Sequence, residues 1–334
     1  MKIVGIDIGT TSICGVVLDG ESGRVDCSKT INSDAFIPTE NEWEKIQNVE
    51  KIVTIATGIL DSFLDDYKGE VAAIGLTGQM HGIVYVNAQG RAVSPLYTWQ
   101  DARGDLPYRG TTYAKHLGSF AGYGNVTDFY NRENGLVPKD AVGYCTIHDY
   151  LGMVLCGNRA PVMHASNAAS LGLYDLAQKK FCYDNPVKVT DAFEIIGAYR
   201  QIPVSVAIGD NQASVFSTLA NEDHLLINVG TGSQISIVSD QPIWRTGLSA
   251  DPTWTENILL LERHFAVAEP IRFSRTFTRS YWRRRERPMR RFTASWKKCL
   301  RSKPKRRFGS IRDLPAQEAM PQSGEASPTS VPIT

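Results

Sequence analysis

Two short segments of the chain share one pattern. Ile6-Asp7-Ile8-Gly9-Thr10-Thr11-Ser12 and Ile227-Asn228-Val229-Gly230-Thr231-Gly232-Ser233 both read I-[DN]-[IV]-G-T-x-S. Each lies between two β-rich runs, so each predicts a hairpin tipped by glycine, threonine and serine. Small residues let backbone N–H groups and short hydroxyls come close to an anion. One such tip is as easily an ordinary tight turn. The matched pair favours a cradle for a polyphosphate, held between two half-domains. Asp7 ends the strand beside the first tip. A carboxylate there can hold Mg²⁺ against the phosphates, directly or through water, or cap the turn by accepting from the Thr10 or Thr11 amide.

Asp210, in AIGDNQAS, also follows a strand and opens a helix. Ligands of open α/β sheets bind outside the carboxyl ends of strands, and a carboxylate at such an end can take the proton of an attacking hydroxyl. The competing role is a helix N-cap. Gln79-Met80-His81 forms a polar–apolar–polar trio in a glycine-bounded loop, suited to a small ligand or to an ordinary surface loop. Trp99-x-Asp101-x-Arg103 combines a stacking face, an acceptor and a fork of donors. That set suits a polyhydroxylated sugar, or equally a tryptophan packed over an Asp–Arg pair.

The elements that must position these groups are α/β in type. Runs 3–8 and 13–18 predict strands joined by the turn Gly9–Ser12. Ile46, Val49, Val53, Ala56, Leu60 and Phe63 make one apolar helical stripe. Residues 71–76 predict a buried strand, followed by the TGQMHG loop, a strand at 83–86 and a hairpin turn at Asn87–Gly90. Thr146, with Asp149 three positions on and Gly157 as stop, frames a helix over 146–156. Residues 204–208 predict a strand and 211–220 a helix.

The net charge of +1 conceals a division. Residues 1–244 carry 17 Lys+Arg against 27 Asp+Glu, whereas 245–312 carry 19 against 5. Fifteen of the 22 arginines fall in that second block, and 313–334 hold three acids and no base. The basic block 272–307 has no aromatic platform at regular spacing, so nucleic-acid binding is not indicated. No apolar run approaches the ~18 residues of a membrane span, and Asp7 and Gly9 interrupt the apolar N-terminus, against a signal peptide. Six cysteines without a C-x-x-C pair indicate neither a zinc site nor a disulfide framework. A reduced, cytoplasmic protein is the expectation.

Together IDIGTTS (6–12), TGQMHG (77–82), TWQDAR (98–103), IGDNQAS (208–214) and NVGTGSQIS (228–236) resemble the FGGY family of carbohydrate kinases. GQMHG resembles the xylulokinase-like branch, and TWQDAR with segment 146–176 is most similar to its sedoheptulokinase members. The resemblance implies an actin-like, ribonuclease H-like ATPase fold. The first domain (1–221) would be essentially complete and the second (222–242) only begun. It implies ATP and Mg²⁺, and transfer of the γ-phosphoryl to the terminal hydroxyl of a ketose, sedoheptulose ahead of xylulose. Asp210 would be the base. Asp7 and Asp210 would organise Mg²⁺, with Gly9, Thr10, Thr11, Ser12, Gly230, Thr231 and Gly232 on the phosphates. Gln79, Met80, His81, Trp99, Asp101 and Arg103 would face the sugar. The partners implied are the ketose and ATP, with a homodimer admitted and neither nucleic acid nor membrane.

The resemblance stops near residue 242. Residues 243–334, basic and then Pro/Ser-rich, resemble translation in a shifted frame or a disordered extension. On that expectation the second domain is little more than the hairpin 224–238, and a catalytically inactive remnant or a sugar-binding half-domain stands beside the kinase.

Overall fold

The computed structural model describes residues 1–183, 185–218, 225–229, 233–239, 248–252 and 258–264, all within one unit, Met1–Val267. Lys2–Ile8 (β1), Ser12–Asp19 (β2) and Val25–Asn32 (β3) form an antiparallel meander. Successive side chains of a strand point to opposite faces. Val4, Ile6 and Ile8 therefore bury one face of β1, while Gly5 and Asp7 lie on the other.

Helix α1 runs Val49–Asp66, its N-cap Asn48 accepting from the Lys51 amide. The predicted stripe is helical from Val49 onward. Ile46 belongs instead to the ribbon Ile46–Gln47, which pairs antiparallel with Leu96–Tyr97, because the Asn48 cap ends the helix on that side. A Cβ on Gly15 would fall 2.4 Å from Ile59 Cγ2 and 2.7 Å from Phe63 Cε2. Glycine at that point lets α1 lie directly on β2.

Val71–Gly78 (β4) is parallel to β1. Val84–Asn87 (β5) closes a turn at Gly90 and pairs with Ala141–Cys145 (β6). Beyond the single helical turn Tyr113–His116 come the helices Gly124–Glu133 (α2), Ile147–Leu155 (α3), capped by Thr146 as predicted, and Ala165–Ser170 (α4). Ile195–Tyr199 (β7) and Ile202–Ser205 (β8) form a hairpin, and Ile208–Gly209 (β9) runs straight into the helix Asp210–Thr218 (α5). The strand predicted over 204–208 is thus two pieces, both parallel to β4. The seven-stranded sheet has the order β7-β8-β4-β1-β2-β3, with β9 beside the end of β4. The face that buries Val4, Ile6, Ile8, Ile74 and Leu76 meets α1 and α3.

A second sheet contains Leu225–Val229 (β10), Ser233–Ser239 (β11), Leu248–Pro252 (β12) and Ile258–His264 (β13), all antiparallel, in the order β10-β11-β13-β12. The expectation that this part ends with its hairpin is corrected. Ile258–Leu261 is a continuous apolar run that pairs with β11, and averaging charge over 245–312 concealed it. The crowded arginines begin only at Arg272. The tip Gly230-Thr231-Gly232 and all residues from 265 onward, including the tail expected to be disordered, lie outside the described residues. Among the described residues, no helix is long and apolar enough to cross a membrane.

Candidate active site

Three parallel strand ends share one register. Asp7 pairs with Thr77 and Thr77 with Ile208, while Ile8 pairs with Gly78 and Gly78 with Gly209. The chain therefore leaves the sheet at Gly9, Gln79 and Asp210 on one level, with β4 in the middle. Asp7 and Thr77 lie on the sheet face opposite α1. Asp7 Oδ1 and Thr77 Oγ1 are both buried and have no hydrogen-bond partner among the described residues. Burial also pushes the Asp7 carboxyl above the usual range, as expected where a charge loses water without gaining a donor. An orphaned carboxylate oxygen next to an orphaned hydroxyl fits a hydrated cation, which would satisfy both. Asp210 is half-buried at the first position of α5, and its Oδ1 accepts from the Asn211 amide at 2.8 Å. That contact orients the carboxylate at the mouth of the strand end.

The first tip is held from the side. The Ser33 amide donates to the Thr11 carbonyl at 2.8 Å, and Gln47 Nε2 donates to the Thr10 carbonyl at 2.7 Å. Thr11 is exposed, and Gly9, Thr10 and Ser12 are half-buried. Gln79 is buried, and its amide bonds to Gln47 Oε1 at 3.0 Å. Met80 is buried against Gly209.

His81 has φ +72°, a left-handed conformation that a non-glycine residue adopts at a cost of order 1–3 kcal/mol. The strain is offset by contacts. Nδ1 lies 2.7 Å from the Ser170 carbonyl, which can only accept, so Nδ1 carries the proton and Nε2 is the acceptor nitrogen of the neutral ring. The ring stacks on Tyr123, centroids 4.3 Å apart. Ser170 belongs to α4, and so does Asn167, whose Nδ2 donates to Asp149 Oδ1 at 2.8 Å and to the Ala207 carbonyl at 3.0 Å. One short helix thus fixes the His81 loop and the segment that delivers Asp210. Asp149 is fully buried, and desolvation drives its carboxyl up to about 7, against the pull of hydrogen bonds from Thr146 and Asn167. Burial draws its neighbour His148 down to about 4.

Trp99 is 47% exposed, and its Nε1 donates to Thr10 Oγ1 at 2.9 Å. It borders an open cavity of about 510 Å³, shared with Lys45, Gln100, Asp101, Asp105 and Ala121. Arg103 does not reach that surface, which corrects its expected place on the sugar. Its guanidinium is buried, donating to Asp101 through Nε at 2.7 Å and Nη2 at 3.1 Å, and to Asn131 through Nη1 at 2.6 Å. It lies over the Tyr97 ring, 4.3 Å from the centroid. Asp101 also accepts from the Lys45 amide, so both of its oxygens are engaged inward. The pair stiffens the loop behind Trp99, the packing alternative of the sequence reading. Gln47, Asn167, Ser170 and Tyr123 were not singled out from sequence. Only the segment containing Asn167 and Ser170 carried a signal, as part of the family-like stretch 146–176.

Residues 2–106 match the family model described as the FGGY family of carbohydrate kinases, N-terminal domain. A xylulose kinase of an Arthrobacter strain is 30% identical over 102 residues, which are 30% of this chain and 95% of that sequence. The chain belongs to the FGGY family. Homo sapiens sedoheptulokinase is 30% identical to this FGGY chain over 280 residues, 70% of the chain and 58% of the relative. The FGGY chain therefore spans under two thirds of the length of that relative. The crystal structure of xylulose kinase from Rhodospirillum rubrum superposes with a TM-score of 0.69 at 15% identity, covering 79% of this chain and 60% of that one. That likeness establishes the actin-like ATPase fold.

Proposed function

We propose that the chain is an ATP-dependent carbohydrate kinase acting on the terminal hydroxyl of a ketose, with sedoheptulose preferred to xylulose. The observation that carries this reading is the common register of β1, β4 and β9, with Asp7 and Asp210 on either side of Gln79. Preference for sedoheptulose is supported by the TWQDAR loop and by the similarity to a named sedoheptulokinase.

In this reading Asp210 accepts the proton of the sugar's terminal hydroxyl. The freed oxygen attacks the γ-phosphorus of ATP, the bond from that phosphorus to the β–γ bridging oxygen breaks, and ADP departs. Such a loose transition state needs positioning and charge neutralisation more than covalent help. Gly9, Thr10, Thr11 and Ser12 offer N–H groups to the phosphates and Thr11 and Ser12 their hydroxyls as well, and Gly230, Thr231 and Gly232 are assigned the same task on the second tip. Asp7, with Thr77 beside it and Asp210 across β4, fits the Mg²⁺ that accompanies ATP, an ion that neutralises phosphate charge when bound. Met80, His81 and Trp99 meet the sugar, His81 through Nε2 and Trp99 through its face. Gln79, Asp101 and Arg103 hold that surface in place.

The test is ADP release by the purified full chain with sedoheptulose, with xylulose and without sugar, beside calorimetric titration of each sugar. Sugar-dependent ADP release with the higher kcat/KM for sedoheptulose is expected. Asp210→Asn should cut kcat by about 10²–10⁴-fold while changing sugar affinity much less. A preference for xylulose rejects the substrate assignment alone. Sugar binding without turnover leaves a sugar-binding protein, and neither binding nor turnover overturns the reading.

A further inference from the structure

Gln47 lies outside every motif discussed above, yet it is fully buried at the centre of the site. Four hydrogen bonds form a series in one direction, and Gln47 makes the last two of them. The Trp99 indole N–H donates to the Thr10 hydroxyl at 2.9 Å, and that hydroxyl donates to Gln79 Oε1 at 3.4 Å. Gln79 Nε2 donates to Gln47 Oε1 at 3.0 Å, and Gln47 Nε2 donates to the Thr10 carbonyl at 2.7 Å. The first group can only donate and the last can only accept. Both amides are thereby fixed, since turning either one would set donor against donor. Hydrogen bonds in such a series polarise one another, most strongly where water is excluded. Gln79 is buried as well.

The backbone reinforces the series. Ile46–Gln47 pairs with Leu96–Tyr97, and the Thr98 hydroxyl and amide both donate to the Lys45 carbonyl. Gln47 and Trp99 are therefore carried by one ribbon. At the other end, Gln47 grips the tip of the first hairpin at the carbonyl of Thr10. The series begins on the residue assigned to the sugar and meets the tip assigned to phosphate twice, at the Thr10 hydroxyl directly from Trp99 and at the Thr10 carbonyl through Gln79 and Gln47.

We propose that Gln47 is a positioning residue that couples the two substrates: sugar against Trp99 sets the Thr10 tip for the nucleotide, and nucleotide at the tip sets Trp99 for the sugar. The proposal rests on the kinase reading of the same site. Coupling between two ligands is reciprocal and typically about 5–150-fold. A residue of purely structural value weakens both affinities and leaves their coupling intact. A residue that transmits the coupling changes the ratio itself.

Calorimetric titration of the full chain with sedoheptulose, alone and under saturating Mg·ADP, measures that ratio. Wild type should bind the sugar at least about 5-fold more tightly with nucleotide present. Gln47→Met keeps the length of the side chain and removes both bonds while leaving the Trp99–Thr10 bond, so its ratio should fall to less than about half the wild-type value. Gln47→Glu keeps the bond from Gln79 and loses the donor to Thr10. It should give the same loss, and it serves if Gln47→Met does not fold by circular dichroism. A folded variant that retains the wild-type ratio overturns the proposal while leaving the kinase reading in place, and so does a wild-type ratio near one. Wild type that binds neither ligand overturns the kinase reading and this proposal together.

Discussion

The Met80 thioether occupies the space that a side chain at position 209 would need. A Cβ on Gly209 would fall 2.6 Å from Met80 Sδ and 2.7 Å from Gln212 Oε1. The contact joins the sugar loop to the last residue before Asp210, so a change at one side displaces the other. Met80 is 3% exposed and Gln212 1% exposed, so either side chain would have to shift within the interior. Overpacking of this kind costs about 1–3 kcal/mol. Gly209→Ala should lower stability by that amount in urea unfolding and weaken sugar binding in the same protein. Unchanged stability would mean that Met80 repacks freely.

Arg103 and Asp101 are predicted to matter through the fold. The guanidinium is engaged by Asp101, Asn131 and Glu44 and lies over three rings, Trp43, Tyr97 and Tyr130. Removing one partner of a buried pair leaves an uncompensated charge, at about 3–5 kcal/mol. Arg103→Met should therefore destabilise strongly, and Asp101→Asn in the same chain should recover part of the loss. Denaturant unfolding of the two single variants and the double variant gives the coupling. If Arg103→Met loses sugar affinity with full stability, Arg103 returns to the sugar site.

How much of this was legible in the sequence depended on how local the signal was. Asp7, the first tip and Asp210 could be read because a strand followed by Gly-Thr-x-Ser, or by Gly-Asp and a helix, is written in adjacent residues. The Thr146 cap was legible for the same reason. Gln47 carries no such signal. Its role arises from the pairing of Ile46–Gln47 with Leu96–Tyr97 and from Gln79, both distant in sequence. Arg103 shows a second limit, since spacing alone does not tell an outward fork of donors from an inward one. At Ile258–Leu261 the strand signal was present and local, but a charge average taken over too long a window obscured it.

His81 offers a sharper test of strain serving a ligand. Asparagine tolerates positive φ far better than most residues, whereas a β-branched side chain there is strongly disfavoured. His81→Asn should keep stability within about 1 kcal/mol of wild type while losing the Nδ1 bond to Ser170 and the stack on Tyr123. Sugar affinity should fall at least about 10-fold, the equivalent of one charge-neutral hydrogen bond. His81→Val should lose both stability and affinity. Calorimetry and thermal unfolding on the two variants separate the effects, and an Asn variant with intact sugar affinity would remove His81 from the site.

The buried neighbours His148 and Asp149 make opposite contributions to the pH dependence of stability. Asp149 is raised from 3.8 to about 7 in the fold, so between those values the native state holds a proton that the unfolded chain has lost. Its contribution is full at the acid end of that window and is lost as pH rises toward 7. His148 is lowered from 6.5 to about 4, so across that window the unfolded chain holds the extra proton, and its contribution grows with pH. Each slope is at most about 1.4 kcal/mol per pH unit, and between pH 4 and 6.5 the two largely cancel. Asp149→Asn removes the falling member and keeps one oxygen that can accept from Asn167, with its NH2 group turned to the Thr146 hydroxyl. The stability of that variant relative to wild type should therefore climb steadily from pH 4.5 to pH 7 and then level off. Urea unfolding of both proteins at four pH values across that range measures the difference directly. A difference that stays flat would place the Asp149 carboxyl in the ordinary range and charged throughout.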